Sequence, residues 1–386
     1  MTKVVAKLAL GGALIISSVA SAQLIQDERH DVEMQPAPVR IDPSEAENDT
    51  GIDARTVSSF EVTLPPRQTA QAPAHVAQLN AKILERVRRF NGASGIAVKS
   101  IDSDWEAGWQ TERLFPQQSV SKIWVTMTML DYVDRGQIDL NRRVTFGRDD
   151  VTLWSAATTS KILAGGYTRS LDNLMFDALT KSDNHANDKI LQTVGGPEAV
   201  RRLIRDKSLG AIRFGDGERE MQAQIAGLSW NQSYAYNNGF NRARSSLSPA
   251  ARQAAMDRYI EDPYDGAAPM AIARALARLD RGELLSPQST AKFLTTMGLT
   301  STGRLRVQGG LSRGWEWAHK TGTGQNYRGR VGGLNDVGIL TAPDGTRYAL
   351  AFMTCPNATD GTAQELMRDV TRMVIQHHEQ YGRQTA

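Results

Sequence analysis

The order of the secondary-structure signals constrains the fold of this 386-residue chain more than any other feature. Two strand candidates precede residue 110, three more follow residue 314, and the stretch of about 119–300 between them has helical periodicity. Strands contributed by both ends of a chain, with helices between them, predict one sheet and an inserted helical region, an α/β (α+β) architecture. A cleft between the two parts is the expected place for a site. The strand candidates are 95–101, 105–109, 315–321, 336–342 and 348–354.

The N-terminus has the pattern of a secretory signal. Lys3 and Lys7 precede an apolar run that ends in Ala20-Ser21-Ala22, which predicts a signal peptide over 1–22 and a periplasmic location. The apolar run is short for a membrane span, and a retained anchor is the alternative. Residues 23–72 are rich in Asp, Glu, Pro, Gln and Ala without an apolar period, which predicts a disordered tether.

The remaining 73–386 are expected to form the catalytic domain. Its sheet part is expected at about 73–115 and 301–386, and its helical part at about 116–300. No second long apolar run follows the N-terminus, so no transmembrane helix is expected in the mature chain. We expect a monomer.

Composition excludes several classes of function. The net charge is +3 and no Lys/Arg run stands out, so no nucleic-acid partner is expected. The six histidines lack metal-ligand spacing, which argues against a metal site. Cys355 is the only cysteine, so no intrachain disulfide can form. It lies in the apolar run 349–355, which predicts a buried structural thiol.

Three short motifs in a fixed order predict acyl transfer to a serine. Each motif alone has an ordinary explanation, such as a helix with a surface lysine, a helix cap or a surface strand. The ordered set is more specific, because each motif falls in the local context that its chemistry needs. The motifs are Ser119-Val120-Ser121-Lys122, Ser182-Asp183-Asn184 and Lys320-Thr321-Gly322.

The first motif supplies a nucleophile and a base. Ser119 follows a loop and precedes an apolar helix, so Lys122 is expected one turn away on the same helical face. A desolvated lysine can take the proton from a serine hydroxyl, and amides at a helix N-terminus can donate to an oxyanion.

The other two motifs supply proton transfer and substrate binding. Ser182 can pass a proton to a leaving nitrogen, and Asn184 offers an amide to a substrate acylamide. Lys320 and Thr321 can hold a carboxylate at a sheet edge, while Gly322 admits a close ligand. All these roles require the three motifs to face one another.

With these motifs the chain resembles the penicillin-recognising serine enzymes, and among them the class A β-lactamases, over about 76–381. Gly195-Gly196-Pro197 and the segment 282–287 match family landmarks, and Trp154 stands where the family has a substrate-facing aromatic. The resemblance implies a five-stranded antiparallel sheet flanked by helices. It also implies hydrolysis of a β-lactam without a metal or organic cofactor, with the Thr323 amide as the second oxyanion donor.

The resemblance further implies a deacylation base. The segment 218–222 is in register with the family's Ω-loop pattern Glu-Pro-x-Leu-Asn, which makes Glu218 the base and Gln222 the second group holding the water. An exposed surface charge is the alternative for Glu218, and Glu220 is a weaker candidate for the base. The family proline and asparagine are replaced, and Asp216 stands where an arginine normally clamps the loop to an aspartate, here Asp265.

Three further features are left open. The extra stretch 227–261 either lines the cleft or is a surface elaboration. His319 either tunes Lys320 or is a spacer, with the spacer favoured. Arg304 or Arg306 is expected to add a cation for the substrate carboxylate.

Two rival functions share most of this machinery. A D,D-peptidase, esterase or amidase would use the same serine, lysine and second serine without a working Glu218. A β-lactam or peptidoglycan sensor would be acylated without turnover. The glutamate at position 218 favours the hydrolase.

Overall fold

The structure is a computed structural model that describes residues 72–103 and 105–382. The predicted signal peptide and nearly all of the predicted tether lie outside these residues. Within the described part, no helix has both the length and the apolar character needed to cross a membrane.

A five-stranded sheet forms the centre of the described chain. Its strand order is β2-β1-β11-β10-β7, and every neighbouring pair is antiparallel. The short strands pair separately as β3 with β6, β4 with β5 and β8 with β9. The strands are β1 Gly92–Ser100, β2 Glu106–Trp109, β3 Phe115–Pro116, β4 Arg143–Thr145, β5 Thr168–Ser170, β6 Gly266–Ala267, β7 Glu316–Thr323, β8 Asn326–Tyr327, β9 Arg330–Val331, β10 Leu334–Thr341 and β11 Arg347–Pro356.

Helices cover both faces of the sheet and fill the region between its early and late strands, as the order of the sequence signals predicts. The helices are α1 Ala74–Val87, α2 Lys122–Asp134, α3 Ala156–Leu163, α4 Leu171–Thr180, α5 Asn184–Thr193, α6 Pro197–Asp206, α7 Glu218–Ile225, α8 Gly239–Ser246, α9 Pro249–Glu261, α10 Pro269–Asp280, α11 Pro287–Gly298 and α12 Thr362–Tyr381.

The two faces of the sheet belong to two separate cores. Successive strand side chains point to opposite faces, so neighbouring residues of β1 and β11 divide between the cores. One core joins the sheet to the terminal helices α1 and α12, and the other joins it to α10 and the helical region. The first core contains Val76, Leu79, Ile83, Ile96, Val98, Leu350, Phe352, Leu366, Val370 and Val374. The second contains Ala97, Ala351, Met353, Val337, Ile339, Ile272, Leu276 and most of α2.

Helix α2 is the centre of the helical region. It is buried from Lys122 through Asp131, and Trp124 is fully enclosed. A helix that is apolar on all sides must be surrounded by other elements, and α2 packs against α4, α5, α6 and α11. The residues just before α2 are therefore attached to the most rigid part of the fold.

The extra stretch 227–261 forms a 3₁₀ turn, α8 and α9. Ser248 caps α9 by accepting from the Ala251 amide, and Pro249 occupies its first turn. Tyr259 and Ile260 of α9 share a buried cluster with α7 and with Cys355. The buried thiol confirms the structural interpretation of the single cysteine, and burial raises the pKa of Cys355 to about 12.

Candidate active site

Ser119 lies in a 3₁₀ turn that leads directly into α2. The turn covers Gln118–Ser121, and the α-helix begins at Lys122, so the serine precedes the helix instead of opening it. The Lys122 amine is fully buried and its Nζ donates to Ser119 Oγ over 2.8 Å. This is the one-turn contact that the Ser-x-x-Lys spacing predicts, and Ser119 itself remains partly accessible.

Buried amides hold the turn in place. Gln117 Nε2 donates to the carbonyl oxygen of Asp265 over 2.6 Å, and Trp124 Nε1 donates to Gln117 Oε1 over 2.6 Å. From the sheet side, Asn335 Nδ2 donates to the Gln117 carbonyl over 3.0 Å. Gln118 has a left-handed backbone with φ of 54°. A non-glycine residue in that region is strained, and such strain persists only where the surroundings hold it.

Glu218 contacts Lys122, the partner of Ser119, from helix α7. It is the first residue of α7, its side chain is 3% exposed, and its Oε1 contacts Lys122 Nζ. Gln222 lies one turn later, and its Nε2 is 3.4 Å from Glu218 Oε2. The interpretation of Glu218 as an exposed surface charge is therefore wrong. The replaced proline and asparagine do not prevent the predicted juxtaposition.

Asp188 supports Glu218 and was missed from the sequence. The Glu218 amide donates to Asp188 Oδ1 over 3.2 Å. Burial, and then the charge of Glu218, raise the pKa of Asp188 to about 7, although Arg219 Nε lies 3.6 Å from its Oδ2. A usable signal was present, because Asp188 follows Asn184 by four residues on the same face of α5.

Asp265 is fixed without the arginine that the family uses. Its Oδ2 accepts from the Gln118 amide over 2.7 Å, and its Oδ1 accepts from the Tyr259 hydroxyl over 2.9 Å. Asp216, at the family's arginine position, accepts from Arg201 instead. Burial raises the pKa of Asp265 to about 6. Tyr259 belongs to the extra stretch, which therefore supplies one of the hydrogen bonds that hold this carboxylate.

Lys320 of the Lys-Thr-Gly motif contacts Ser182 of the Ser-Asp-Asn motif. Its Nζ donates to Ser182 Oγ over 2.9 Å, and the lysine is fully buried on the edge strand β7. Burial, and then the nearby Lys122 amine, lower the pKa of Lys320 well below its ordinary value. A lysine with a reduced proton affinity beside a serine hydroxyl suits proton transfer through that hydroxyl.

The Ser-Asp-Asn motif is both a helix cap and part of the site. Asp183 caps α5 by accepting from the Ala186 amide over 2.9 Å, while Ser182 has a left-handed φ of 60°. Asn184 Nδ2 donates to the Leu153 carbonyl over 3.1 Å, which ties α5 to the loop carrying Trp154.

Trp154 is exposed on the loop that Asn184 holds. Its side chain is 55% exposed, and its ring meets Phe240 of α8 edge to face with 5.6 Å between centroids. A cavity of about 290 Å³ is lined by both rings and by Tyr234 and Asn241. The extra stretch therefore forms one wall of the cavity beside Trp154 and is more than a distant surface elaboration.

The strand β7 presents the Lys-Thr-Gly motif within close reach of the Ser119 turn. A Cβ added to Gly322 would lie 2.4 Å from the Gln117 carbonyl oxygen, so only glycine allows this approach. The Thr321 hydroxyl is 2.7 Å from that of Thr302. These contacts place the hydroxyl of Thr321 and the amine of Lys320 on the strand that borders the serine.

Of the two cations considered for a substrate carboxylate, Arg306 is the one that joins β7. Its Nη2 donates to Thr323 Oγ1 over 2.6 Å and its Nη1 donates to the Gly322 carbonyl over 3.0 Å. Arg304 is exposed. Arg306 is buried behind the strand, so it adds positive charge beside Thr323 without facing solvent.

His319 is more than a spacer before Lys320. It is buried, and its Nδ1 lies 2.6 Å from Asp336 Oδ1 on the neighbouring strand β10. The ring also packs against Trp317, with centroids 5.5 Å apart. The pair joins β7 to β10 directly behind Lys320 and so fixes the strand that carries the motif.

Comparison with known proteins agrees with this geometry. The profile of the beta-lactamase enzyme family matches residues 78–378. The chain is 22% identical to beta-lactamase VEB-1 of Pseudomonas aeruginosa, over 79% of this chain and 92% of that protein. It is 26% identical to extended-spectrum beta-lactamase PER-1 of the same species, over 80% of this chain and 86% of that protein.

Solved structures show the same fold. The TLA-1 extended-spectrum β-lactamase superposes with a TM-score of 0.65 at 21% identity, covering 78% of this chain and 99% of that one. An ancestral class A β-lactamase superposes with a TM-score of 0.60 at 25% identity, covering 78% and 99%. The profile spans well over half of the chain, and the five-stranded antiparallel sheet with its helical region is the class A arrangement. This chain therefore belongs to the beta-lactamase enzyme family and is a class A serine β-lactamase.

Proposed function

We propose that the protein opens the β-lactam ring by forming an acyl-enzyme on Ser119 and releases the product with water activated by Glu218. The observation that carries this proposal is the position of Lys122 Nζ, which contacts both Ser119 Oγ and Glu218 Oε1. The amine can take the serine proton directly, or Glu218 can take it through a water. Either route leaves Ser119 as the nucleophile, and which of the two operates is disputed for such sites.

The remaining groups serve acylation. As Ser119 Oγ bonds to the lactam carbonyl carbon, the Ser119 and Thr323 amides stabilise the developing oxyanion. When the carbon–nitrogen bond breaks, Ser182 donates its proton to the leaving nitrogen and is resupplied by Lys320, 2.9 Å away. Lys320 and Thr321 also hold the substrate carboxylate, with Arg306 adding charge behind the strand.

Deacylation uses a different set of residues. Glu218 removes a proton from water while Gln222 holds that water, and the hydroxide adds to the acyl carbon. The ester bond to Ser119 Oγ then breaks, the serine recovers a proton, and the ring-opened acid leaves. Asn184 holds the acylamide through both steps, and Trp154 borders it.

The test follows colour and adduct mass together when the protein is mixed with a chromogenic cephalosporin. The wild type should give sustained colour with no lasting adduct. Glu218→Gln keeps the shape but cannot accept the proton, so deacylation should fall by about 10²–10⁴-fold and a stable acyl-serine should accumulate. Glu220→Gln, two residues away on α7, is the matched control and should turn over normally.

Two other results would point elsewhere. A stoichiometric burst of colour with a persistent adduct in the wild type would indicate a penicillin-binding peptidase or a sensor. Absence of any adduct in Ser119→Ala together with undiminished hydrolysis would exclude Ser119 as the nucleophile.

The setting of the enzyme is part of the same proposal. The pattern at 1–22 supports cleavage and export to the periplasm, where cell-wall-directed β-lactams act. We further propose a monomer, with a tether over 23–72 ahead of a catalytic domain over 73–386.

A further inference from the structure

We infer that the extra stretch 227–261 is part of the deacylation apparatus, because its Arg244 and Tyr259 fix the direction of a hydrogen-bond chain that turns the Gln222 amide toward Glu218. The inference rests on the proposed function, in which Gln222 holds the deacylating water. It assigns the stretch a positioning role that no motif in the sequence indicates.

The chain of hydrogen bonds begins on α8. Arg244 Nη1 donates to Gln325 Oε1 over 3.0 Å. Arginine has donors only, so the oxygen of the Gln325 amide must face it and the amide nitrogen must point the other way. That nitrogen donates to Gln222 Oε1 over 3.0 Å and to the Gln222 carbonyl over 2.8 Å. The orientation of Gln222 is therefore set from α8 through Gln325.

The chain continues through the residue next to Ser119 and ends on α9. With its oxygen engaged, Gln222 directs Nε2 to Glu218 Oε2 at 3.4 Å and to Gln118 Oε1 at 3.3 Å. Gln118 Nε2 then donates to the Tyr259 hydroxyl over 2.7 Å. Tyr259 in turn donates to Asp265 Oδ1 over 2.9 Å.

Both ends of the chain impose the same direction. Arg244 can only donate, and an ionised Asp265 can only accept, so every amide between them is forced into one orientation. Burial holds Tyr259 as a neutral hydroxyl, since its pKa is raised well above the ordinary value. The three glutamines are buried, which removes bulk water as a competing partner.

The reverse orientation of Gln222 would have a direct chemical cost. Its Oε1 would then face the Glu218 carboxylate and Gln118 Oε1, placing acceptors against acceptors without a donor between them. The N–H that helps to order the nucleophilic water against Glu218 would be lost. Acylation in which Lys122 takes the serine proton directly depends on Ser119, Lys122 and Lys320, none of which lies in this chain of hydrogen bonds. The extra stretch should therefore control deacylation selectively.

Time-resolved mass spectrometry with the chromogenic cephalosporin separates the two rates in the full-length protein. In Arg244→Ala and Tyr259→Phe, deacylation should slow by about tenfold or more while acylation stays within about twofold. Tm should change little in Arg244→Ala and fall in Tyr259→Phe, because the buried Asp265 carboxylate loses its hydroxyl donor. Arg242→Ala, on the same helix, and Tyr236→Phe, whose hydroxyl donates to the Arg148 carbonyl, are the matched controls and should behave as wild type.

Gln325→Glu tests the direction of the hydrogen-bond chain and leaves the packing of the side chain unchanged. Glutamate keeps the shape and an acceptor for Arg244 but has no N–H for Gln222, so deacylation should fall as it does in Arg244→Ala. Deacylation at the wild-type rate in all three variants would overturn the inference, as would equal losses in both rates with a lowered Tm. A wild type that turns over while the variants are unaffected leaves the proposed function intact. A wild type that is acylated but never released overturns both.

Discussion

The site contains two buried lysines, each beside a serine, and their surroundings differ. Lys122 contacts the carboxylate of Glu218, whereas the pKa of Lys320 is lowered by burial and by Lys122 itself. Two amines in one buried site repel each other when both are charged, so the Lys122 amine adds to burial in weakening the hold of Lys320 on its proton. A proton held more weakly on Lys320 suits its transfer through the Ser182 hydroxyl, 2.9 Å away, to the leaving nitrogen.

Asp188 allows a prediction on stability at the residue scale. Its pKa rises from 3.8 in the unfolded chain to about 7 in the fold, mainly through burial. Between these values the native state holds a proton that the unfolded state has lost, so this residue makes the protein less stable as pH rises from about 4 to 7. Asp188→Asn keeps an oxygen for the Glu218 amide and removes the charge, and should stabilise the fold. The gain should be about 2.5 kcal/mol larger at pH 8 than at pH 5.

Urea unfolding of both proteins at the two pH values measures the difference. Asp183→Asn is the contrasting variant, because the nearby His185 ring and hydrogen bonds from Thr158 and the Ala186 amide outweigh burial and lower the pKa of Asp183 to about 2. An ionised Asp183 stabilises the fold above its unfolded pKa, so its loss should destabilise at both pH values. A pH-independent effect of Asp188→Asn would contradict the assignment.

The contact between β7 and the Ser119 turn matters at the scale of elements. Because a Cβ at Gly322 would lie 2.4 Å from the Gln117 carbonyl oxygen, Gly322→Ala must push the strand away from the turn. We expect a loss of about 1–3 kcal/mol of stability and slower acylation, since the Thr323 amide would move away from the position of the oxyanion.

Thermal unfolding and the rate of adduct formation test this expectation. Gly298→Ala is the control, since Gly298 is the last residue of α11 and an added Cβ there meets no atom within 4 Å. Acylation at the wild-type rate in Gly322→Ala would show that the strand and the turn do not need this close approach.

Helices and strands with a strong hydrophobic periodicity could be predicted from the sequence, and those that depend on tertiary partners could not. The strands of the sheet and the apolar helix α2 follow from alternation and helical spacing, because their side chains are buried on defined faces. The proposed role of Glu218 as the deacylation base follows only from the resemblance. Helices α8 and α9 were missed because the stretch is polar, and its anchors Arg244 and Tyr259 engage partners distant in sequence, Gln325 and Asp265.

At the scale of the whole molecule, one sheet combines early strands of the chain with late ones, and α1 packs on that sheet. The start of α1 is therefore the expected N-terminal boundary of the catalytic domain. Helix α1 begins at Ala74 and buries Val76, Leu79, Ile83 and Val87 against α12 and the sheet. Burial of such side chains is worth about 2 kcal/mol each. Their sum is comparable with the whole free energy of unfolding of a typical domain, about 5–15 kcal/mol.

A chain that starts at residue 73 should therefore fold and hydrolyse a β-lactam as well as one that starts at residue 23. A chain that starts at residue 88 should fail to fold, because it lacks α1 and exposes the apolar face of the sheet that α1 covers. Differential scanning calorimetry and kcat/KM for the three chains decide the matter. A Tm clearly lower for the chain from 73 than for the chain from 23 would mean that residues before α1 contribute packing. The catalytic domain would then extend beyond the boundary at residue 73.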